Sequence, residues 1–185
     1  MVLLYTSGTT SLPKGVMLTH KNLCANFHSL SELKLFSDKD VILSILPLYH
    51  SYPLMTTLIL PILSGAKVVY VGSDWKEKLL YYLKEARPTI FIAVPQVFHM
   101  IYSNMMKKLK DLPPLSKLYI KLVTSLHLGR FLLSGLKHAF GGELRFFACG
   151  GAKLDVDVAR GFFKLGFTIL EGYGLTETSP VVSFN

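Results

Sequence analysis

Cysteine is nearly absent: Cys24 and Cys149 are the only two in 185 residues, far apart and without a Cys-x-x-Cys spacing. That excludes a disulfide scaffold, argues against a zinc site and suits a reducing cytosol. Charge is scarce too, at 17% of residues against 50% hydrophobic, a balance that excludes a disordered or fibrous chain. Acid is the scarcer sign, since 12 Asp and Glu stand against 20 Lys and Arg. No basic stretch precedes the strand-like VLLY that follows Met1, so no secretory leader is expected. There is no internal repeat and no low-complexity tract. The length suits one sizeable core, or one large piece of something bigger.

One stretch lacks charge entirely. From Val41 to Ala66 there are 26 residues without Asp, Glu, Lys or Arg, more than the roughly 20 needed to cross a bilayer. Pro47, Pro53 and Pro61 interrupt it, together with His50 and three serines. Prolines at that density break a helix repeatedly, and a break exposed to lipid leaves amides unsatisfied. The stretch therefore reads as a buried strand over 41–46, a turn carrying His50, and a core helix near Leu54 to Leu63.

Elsewhere strand and helix patterns alternate. Apolar runs at 2–5, 41–46, 67–71, 89–94, 144–148 and 167–170 read as buried strands. Thr19 can cap a helix that buries Leu23, Phe27 and Leu30, and Asp74 with Glu77 has capping-box spacing ahead of Trp75. Pro95 can open a helix at the position where proline is tolerated. Asp155 precedes another helix, which Gly166 can end. This alternation predicts an α/β fold with a mainly parallel sheet flanked by helices. Ligands in such sheets collect at the carboxyl ends of the strands. The segments rich in glycine and hydroxyls fall after VLLY, LRFFA and FTIL, which points to one shared site.

The first of these segments, TSGTTSLPKG at 6–15, concentrates hydroxyls, glycine and a lysine. Gly8 permits close backbone approach, and successive amides can form an anion-binding nest. Thr6, Ser7, Thr9, Thr10 and Ser11 add hydroxyl donors, and Lys14 supplies a compact positive charge suited to phosphate. A Walker loop requires G-x-x-x-x-G-K-[ST]. Here the second glycine and the hydroxyl after the lysine are missing, so that class is excluded. On composition alone the segment is equally a polar turn, because the same residues dominate turns.

The complete pattern is more specific. YTSGTTSLPKG at 5–15, LPLYH at 46–50, CGGAKLD at 149–155 and EGYGLTETSP at 171–180 resemble, in order, the motifs of the AMP-forming adenylating enzymes, a family that includes acyl-CoA synthetases. Two positions depart from the family pattern: Ser11 stands where Gly is usual, and Cys149 where Ser or Thr is common. The resemblance implies that the chain is part of the large N-terminal domain of an adenylate-forming enzyme, activating a carboxylic acid with ATP and Mg²⁺ and passing the acyl group to CoA or a carrier-protein thiol. It implies ATP phosphates held by Thr6, Ser7, Gly8, Thr9, Thr10, Lys14 and Thr176, with Lys14, Thr176 and Glu177 as catalytic residues. Glu177 would bind the metal. Adenine would lie on Gly151 and Ala152, covered by Tyr173, with Glu171 accepting from its amine. His50 and Gly172 would line the acyl pocket. His50 is expected there as a lining residue and not as a general base, because a carboxylate nucleophile has no proton to remove.

VPQVFHMIYSNM and FGGELRFFACGGAKLD look most like the fatty-acyl branch, medium- to long-chain. Aryl or carrier-protein substrates are the alternative within the family, and a nucleotide-binding or membrane-associating module without catalysis is the alternative outside it. Between His99 and Phe140 stand seven Lys or Arg and one acid, Asp111. That segment could contact an anionic membrane peripherally, or it is an ordinary solvated basic face. No nucleic-acid recognition motif accompanies the charge, so a cytoplasmic location with at most peripheral membrane contact is expected. Residues 1–185 are expected to be a partial adenylation domain, with an N-terminal portion and a C-terminal lid domain elsewhere and the piece alone inactive.

Overall fold

The computed structural model describes residues 1–6, 12–111, 113–114, 116 and 137–185. Strands β3 (Val41–Ser44), β4 (Lys67–Tyr70), β5 (Ile90–Ala93), β6 (Phe146–Cys149), β7 (Ile169–Gly174) and β8 (Val181–Phe184) form one sheet in the order β4-β3-β5-β6-β7-β8. Every neighbouring pair is parallel except β7–β8, which is antiparallel. The expected class is therefore found: a mainly parallel sheet flanked by helices.

Successive residues of a strand face opposite sides, and the core divides accordingly. Phe91 and Ala93 of β5 and Phe147 and Cys149 of β6 face one side. They meet α4 (Trp75–Ala86), α5 (Pro95–Lys110) and α6 (Val156–Lys164) through Leu79, Leu83, Phe98, Ile101, Val158 and Phe162. Phe147 sits in the middle of an edge-on aromatic cluster with Phe91, Phe98, Phe140 and Phe162. Ile90, Ile92, Phe146 and Ala148 face the other side, against Leu35, Phe36 and Tyr52.

The uncharged stretch folds as a short strand and a helical run, with α2 (Ser51–Pro53), a π-helical segment (Leu54–Ile59) and α3 (Leu60–Leu63) following β3. Thr56 and Thr57 donate to the carbonyls of Tyr52 and Pro53, at 2.7 and 2.9 Å. Among the described residues no helix is long and apolar enough to cross a membrane.

Three expectations need correction. The opening VLLY run is not in the parallel sheet. β1 (Val2–Thr6) pairs with an unexpected strand, β2 (Lys14–Leu18), as a separate antiparallel hairpin in register Val2↔Leu18 to Thr6↔Lys14. A short connection can return a strand only antiparallel, since a parallel neighbour needs a long crossover. β7 runs on to Gly174, placing Glu171, Gly172 and Tyr173 within a strand and not a loop, and β8 returns alongside it. Asp74 stands at the N-cap of α4, but its side chain makes no capping hydrogen bond. Its carboxylate is occupied by Lys78 at 2.7 Å and by the Tyr82 hydroxyl at 2.8 Å. Elsewhere the helix ends follow expectation. Thr19 and Asn22 form a capping box on α1 (His20–Glu32), and Asp155 accepts from the amides of Asp157 and Val158. Gly166, at φ 84, occupies the left-handed conformation that ends α6.

A polar clasp ties the amino ends of three adjacent strands. Asp40, Thr89 and Arg145 stand just before β3, β5 and β6. The Asp40 carboxylate, 1% exposed, accepts from Thr89 Oγ1 and Arg145 Nη1, both at 2.6 Å, and from Ser37 N and Oγ at 2.8 and 2.9 Å. Thr89 Oγ1 in turn accepts from the Val41 amide at 3.0 Å.

Candidate functional site

The opposite, carboxyl edge of the sheet opens into a cavity of about 850 Å³. Because β3, β5, β6 and β7 are parallel, the segments leaving them emerge on this one edge. They bring His50, Val94, Gly151 and Thr176 to one cavity, and Thr6 at the tip of β1 reaches it from the hairpin. Of the residues expected at a site, the cavity is lined by Thr6, His50, Gly151, Gly172, Tyr173, Thr176 and Glu177. Ser7, Gly8, Thr9, Thr10 and Ser11 lie outside the described residues, so the expected convergence of Thr9 with Gly151 and Thr176 is seen for the latter pair alone. Lys14, Ala152 and Glu171 do not line the cavity. Lys14 opens β2 opposite Thr6, exposed, and Ala152 is exposed in the turn after β6. Glu171 Oε1 accepts from the Leu154 amide at 3.2 Å, holding the 149–155 turn against β7.

Each side chain is positioned by local structure. Gly151 takes φ 83, a left-handed conformation that a side chain would strain. After Gly174 the chain makes a one-turn 3₁₀ helix, Thr176–Thr178, and reverses into β8. Thr178 Oγ1 accepts from the Leu175 amide at 2.9 Å and donates to the Leu175 carbonyl at 2.8 Å, fixing that turn. Asn26 on α1 donates to the Val181 carbonyl at 2.7 Å, anchoring β8 from the far side. Tyr173 is 61% exposed, an open aromatic face at the cavity. The His50 ring packs on Tyr49 with centroids 4.5 Å apart.

Two lining residues carry a signal that the sequence reading missed. Ser51, 7% exposed, donates from Oγ to Thr176 Oγ1 at 3.2 Å, joining segments 125 positions apart. Tyr52 lies directly over Gly150, where a methyl group would stand 2.6 Å from its ring. Its buried hydroxyl has no hydrogen-bond partner among the described residues, and burial pushes its pKa up, aided by Cys149. Burial, followed by the charge of Glu171, pushes the Cys149 thiol up to about 12, so it is an inert buried thiol. Both lining residues follow directly on LPLYH, and a serine opening a helix within an otherwise apolar run was the available signal.

The donor set suits a polyanion carrying a flat ring. The lining combines the hydroxyl-bearing Thr6 and Thr176 and the acidic Glu177 with the backbone of Gly151 and the aromatic Tyr173. No cluster of three potential metal ligands exists among the described residues. A lone carboxylate still fits Mg²⁺, which is commonly held by one or two carboxylates together with substrate phosphates. A second cavity of about 460 Å³ lies between α4 and α5, walled by Leu79, Leu83, Ile101, Met105 and Phe140. It is an apolar helix–helix groove that no motif residue reaches.

The AMP-binding enzyme family model matches residues 1–185. The chain is 37% identical to long chain acyl-CoA synthetase 6, peroxisomal, of Arabidopsis thaliana, over 97% of this chain and 27% of that protein. It is 32% identical to the long-chain-fatty-acid–CoA ligase ACSBG2 of Homo sapiens, over 96% of this chain and 30% of that one. Among solved structures, apo MatB from Rhodopseudomonas palustris superposes with a TM-score of 0.71 at 27% identity, over 99% of this chain and 30% of MatB. A long-chain-fatty-acid-CoA ligase from Archaeoglobus fulgidus shares the fold with a TM-score of 0.72 at 24% identity, over 99% of this chain and 33% of its own. The chain thus spans under a third of the length of these relatives.

Proposed function

Because the chain belongs to the AMP-binding enzyme family, we propose that its cavity binds ATP and that it forms part of an AMP-forming ligase joining a fatty acid to CoA. The names of its relatives among the long-chain acyl-CoA synthetases support the acid and the acceptor. The same enzyme would contain an N-terminal portion and a C-terminal lid domain beyond these residues, a reading supported by the 27% and 30% coverage of those relatives. The observation that carries the nucleotide reading is the convergence of Thr6, His50, Gly151, Tyr173, Thr176 and Glu177, from separate segments, on one cavity at the carboxyl edge.

In such a reaction a carboxylate oxygen bonds to the α-phosphorus of ATP. The bond from that phosphorus to the β-bridging oxygen breaks, and pyrophosphate leaves with the electron pair. Both reactants are anions, so alignment and charge stabilisation are the main tasks. Thr176 Oγ1 is assigned to the α-phosphate, and Thr6 with Lys14 to the β- and γ-phosphates. Tyr173 and the Gly151 backbone would sandwich the purine. Glu177 would hold Mg²⁺, which when bound offsets phosphate charge. His50 and Gly172 would line the entry of the acid. In the second half-reaction a thiol sulfur, having lost its proton, attacks the acyl carbonyl and AMP departs. CoA fits the relatives' names, and a carrier-protein thiol is the chemical alternative.

Calorimetric titration of the chain with ATP, AMP and a fatty-acyl sulfamoyl adenosine tests the reading. Binding of all three is expected, with the acyl compound tightest because it fills both subsites. Absence of binding at millimolar nucleotide would refute it. The lysines at 107, 108 and 110, in the last turn of α5, favour peripheral contact with anionic lipid, although they equally complement the helix dipole. Co-sedimentation with phosphatidylserine vesicles separates those two roles.

A further inference from the structure

We infer that Ser51 is a positioning residue, whose hydroxyl sets the direction in which Thr176 offers its own proton to an α-phosphate oxygen. This deepens the reading above, and it rests on the assignment of Thr176 to the α-phosphate.

A hydroxyl has one proton to donate and two lone pairs with which to accept. Ser51 Oγ donates to Thr176 Oγ1 at 3.2 Å, so one lone pair of Thr176 is filled. The Thr176 proton is left uncommitted, with no acceptor for it among the described residues. Both side chains line the cavity. An anion arriving there completes a chain from Ser51 through Thr176 to phosphate oxygen, and donors in series polarise one another. Without Ser51, Thr176 is free to turn its hydroxyl away, or to accept from water.

The backbone around Thr176 is held by other groups. Thr178 Oγ1 bridges the Leu175 amide and carbonyl, and the Ser179 amide donates to the Thr176 carbonyl at 3.2 Å. The start of α2 is likewise kept by the Leu54 amide donating to the His50 carbonyl at 3.1 Å. Ser51 therefore acts on the rotation of one hydroxyl, while the turn and the helix stand without it. A residue serving packing alone would affect every ligand of the cavity. One that aims Thr176 affects only ligands with a phosphate on the ribose.

The test compares AMP with adenosine by calorimetry on the chain and its variants. Ser51→Ala should weaken AMP about three- to tenfold, the worth of one hydrogen bond, while adenosine affinity stays at the wild-type value. Ser51→Thr, which retains a hydroxyl, should restore part of the AMP affinity. In a Thr176→Ala background, Ser51→Ala should bring no further loss for AMP. An unchanged AMP-to-adenosine ratio in Ser51→Ala would overturn the inference, as would equal losses for both ligands or additivity with Thr176→Ala. If Thr176→Ala binds AMP as wild type does, the α-phosphate assignment falls and Ser51 with it, while ATP binding stands. If the wild type binds neither ligand, the nucleotide reading itself is refuted, and this one with it.

Discussion

Replacing Asp40 with alanine removes the acceptor on which the amino edge of the sheet converges. Four donors lose their partner: Ser37 N, Ser37 Oγ, Thr89 Oγ1 and Arg145 Nη1. They do not lose equally. The Arg145 side chain is 47% exposed and can turn to water, so its share is small. Thr89 Oγ1 retains a long contact to the Val41 carbonyl at 3.4 Å. The Ser37 amide and the Thr89 hydroxyl are the groups left short of a partner, each costing about 1–1.5 kcal/mol. With a few tenths for the ion pair, the expected loss is about 2–4 kcal/mol. Arg145→Ala should cost less, about 1–2 kcal/mol, because three neutral donors still surround the carboxylate. Urea unfolding followed by circular dichroism reads this as a midpoint shift of about 1–2 M for Asp40→Ala. The pH dependence supplies a signature. Burial alone would raise the Asp40 carboxyl, but bonds from Thr89, Arg145 and Ser37 outweigh it and hold the group below its usual 3.8. A depressed carboxyl contributes stability that is complete above the unfolded value and fades as pH falls through the folded one. The gap between wild type and Asp40→Ala should therefore be flat above about pH 5 and close below 3.8. A loss under about 0.5 kcal/mol, or a gap that widens in acid, would refute the clasp as a source of stability.

Gly150→Ala places a methyl 2.6 Å from Tyr52 Cζ and should cost about 1–3 kcal/mol by overpacking; in a Tyr52→Leu background most of that cost should vanish, as a double-mutant cycle in urea would read. Thr19→Ala removes the α1 cap, whose side chain accepts from the Asn22 amide, and should cost about 0.5–2 kcal/mol in the same assay. Tyr173→Ala should weaken adenosine and AMP by similar factors in calorimetry, since stacking does not involve phosphate; a loss confined to AMP would contradict the purine assignment.

The sheet was readable where strands are buried on both faces. IFIA and FFAC are continuous apolar runs with all four residues buried, the pattern a central parallel strand requires. Thr19, Pro95, Asp155 and Gly166 were readable because capping is local chemistry. The hairpin partner Lys14–Leu18 was hidden by its lysine–glycine start and by belonging to a small sheet with one exposed face, where Leu3 and Met17 are 51% and 68% exposed. Val181–Phe184 was hidden at the sheet edge, where only Val181 and Phe184 are partly buried. Asp74 satisfied a sequence rule but found stronger partners in Lys78 and Tyr82. At the cavity, seven of the motif residues expected at a site line it. Ser51 and Tyr52 were missed because their significance lies in partners distant in sequence, Thr176 and Gly150, which no local pattern signals.

The contact between Tyr52 and Gly150 has a bearing on how such chains diverge. Two segments distant in sequence share one volume, and position 150 cannot gain a side chain alone. A lineage that acquires a side chain at 150 must first, or at once, accept a smaller residue at 52, because the ring already fills the space that a Cβ would take. The order of change is therefore constrained: shrinkage at 52 opens a path that enlargement at 150 closes. Homologues with a side chain at 150 should carry a smaller residue at 52, and ancestral chains passing between the two states should pass through the small–small combination.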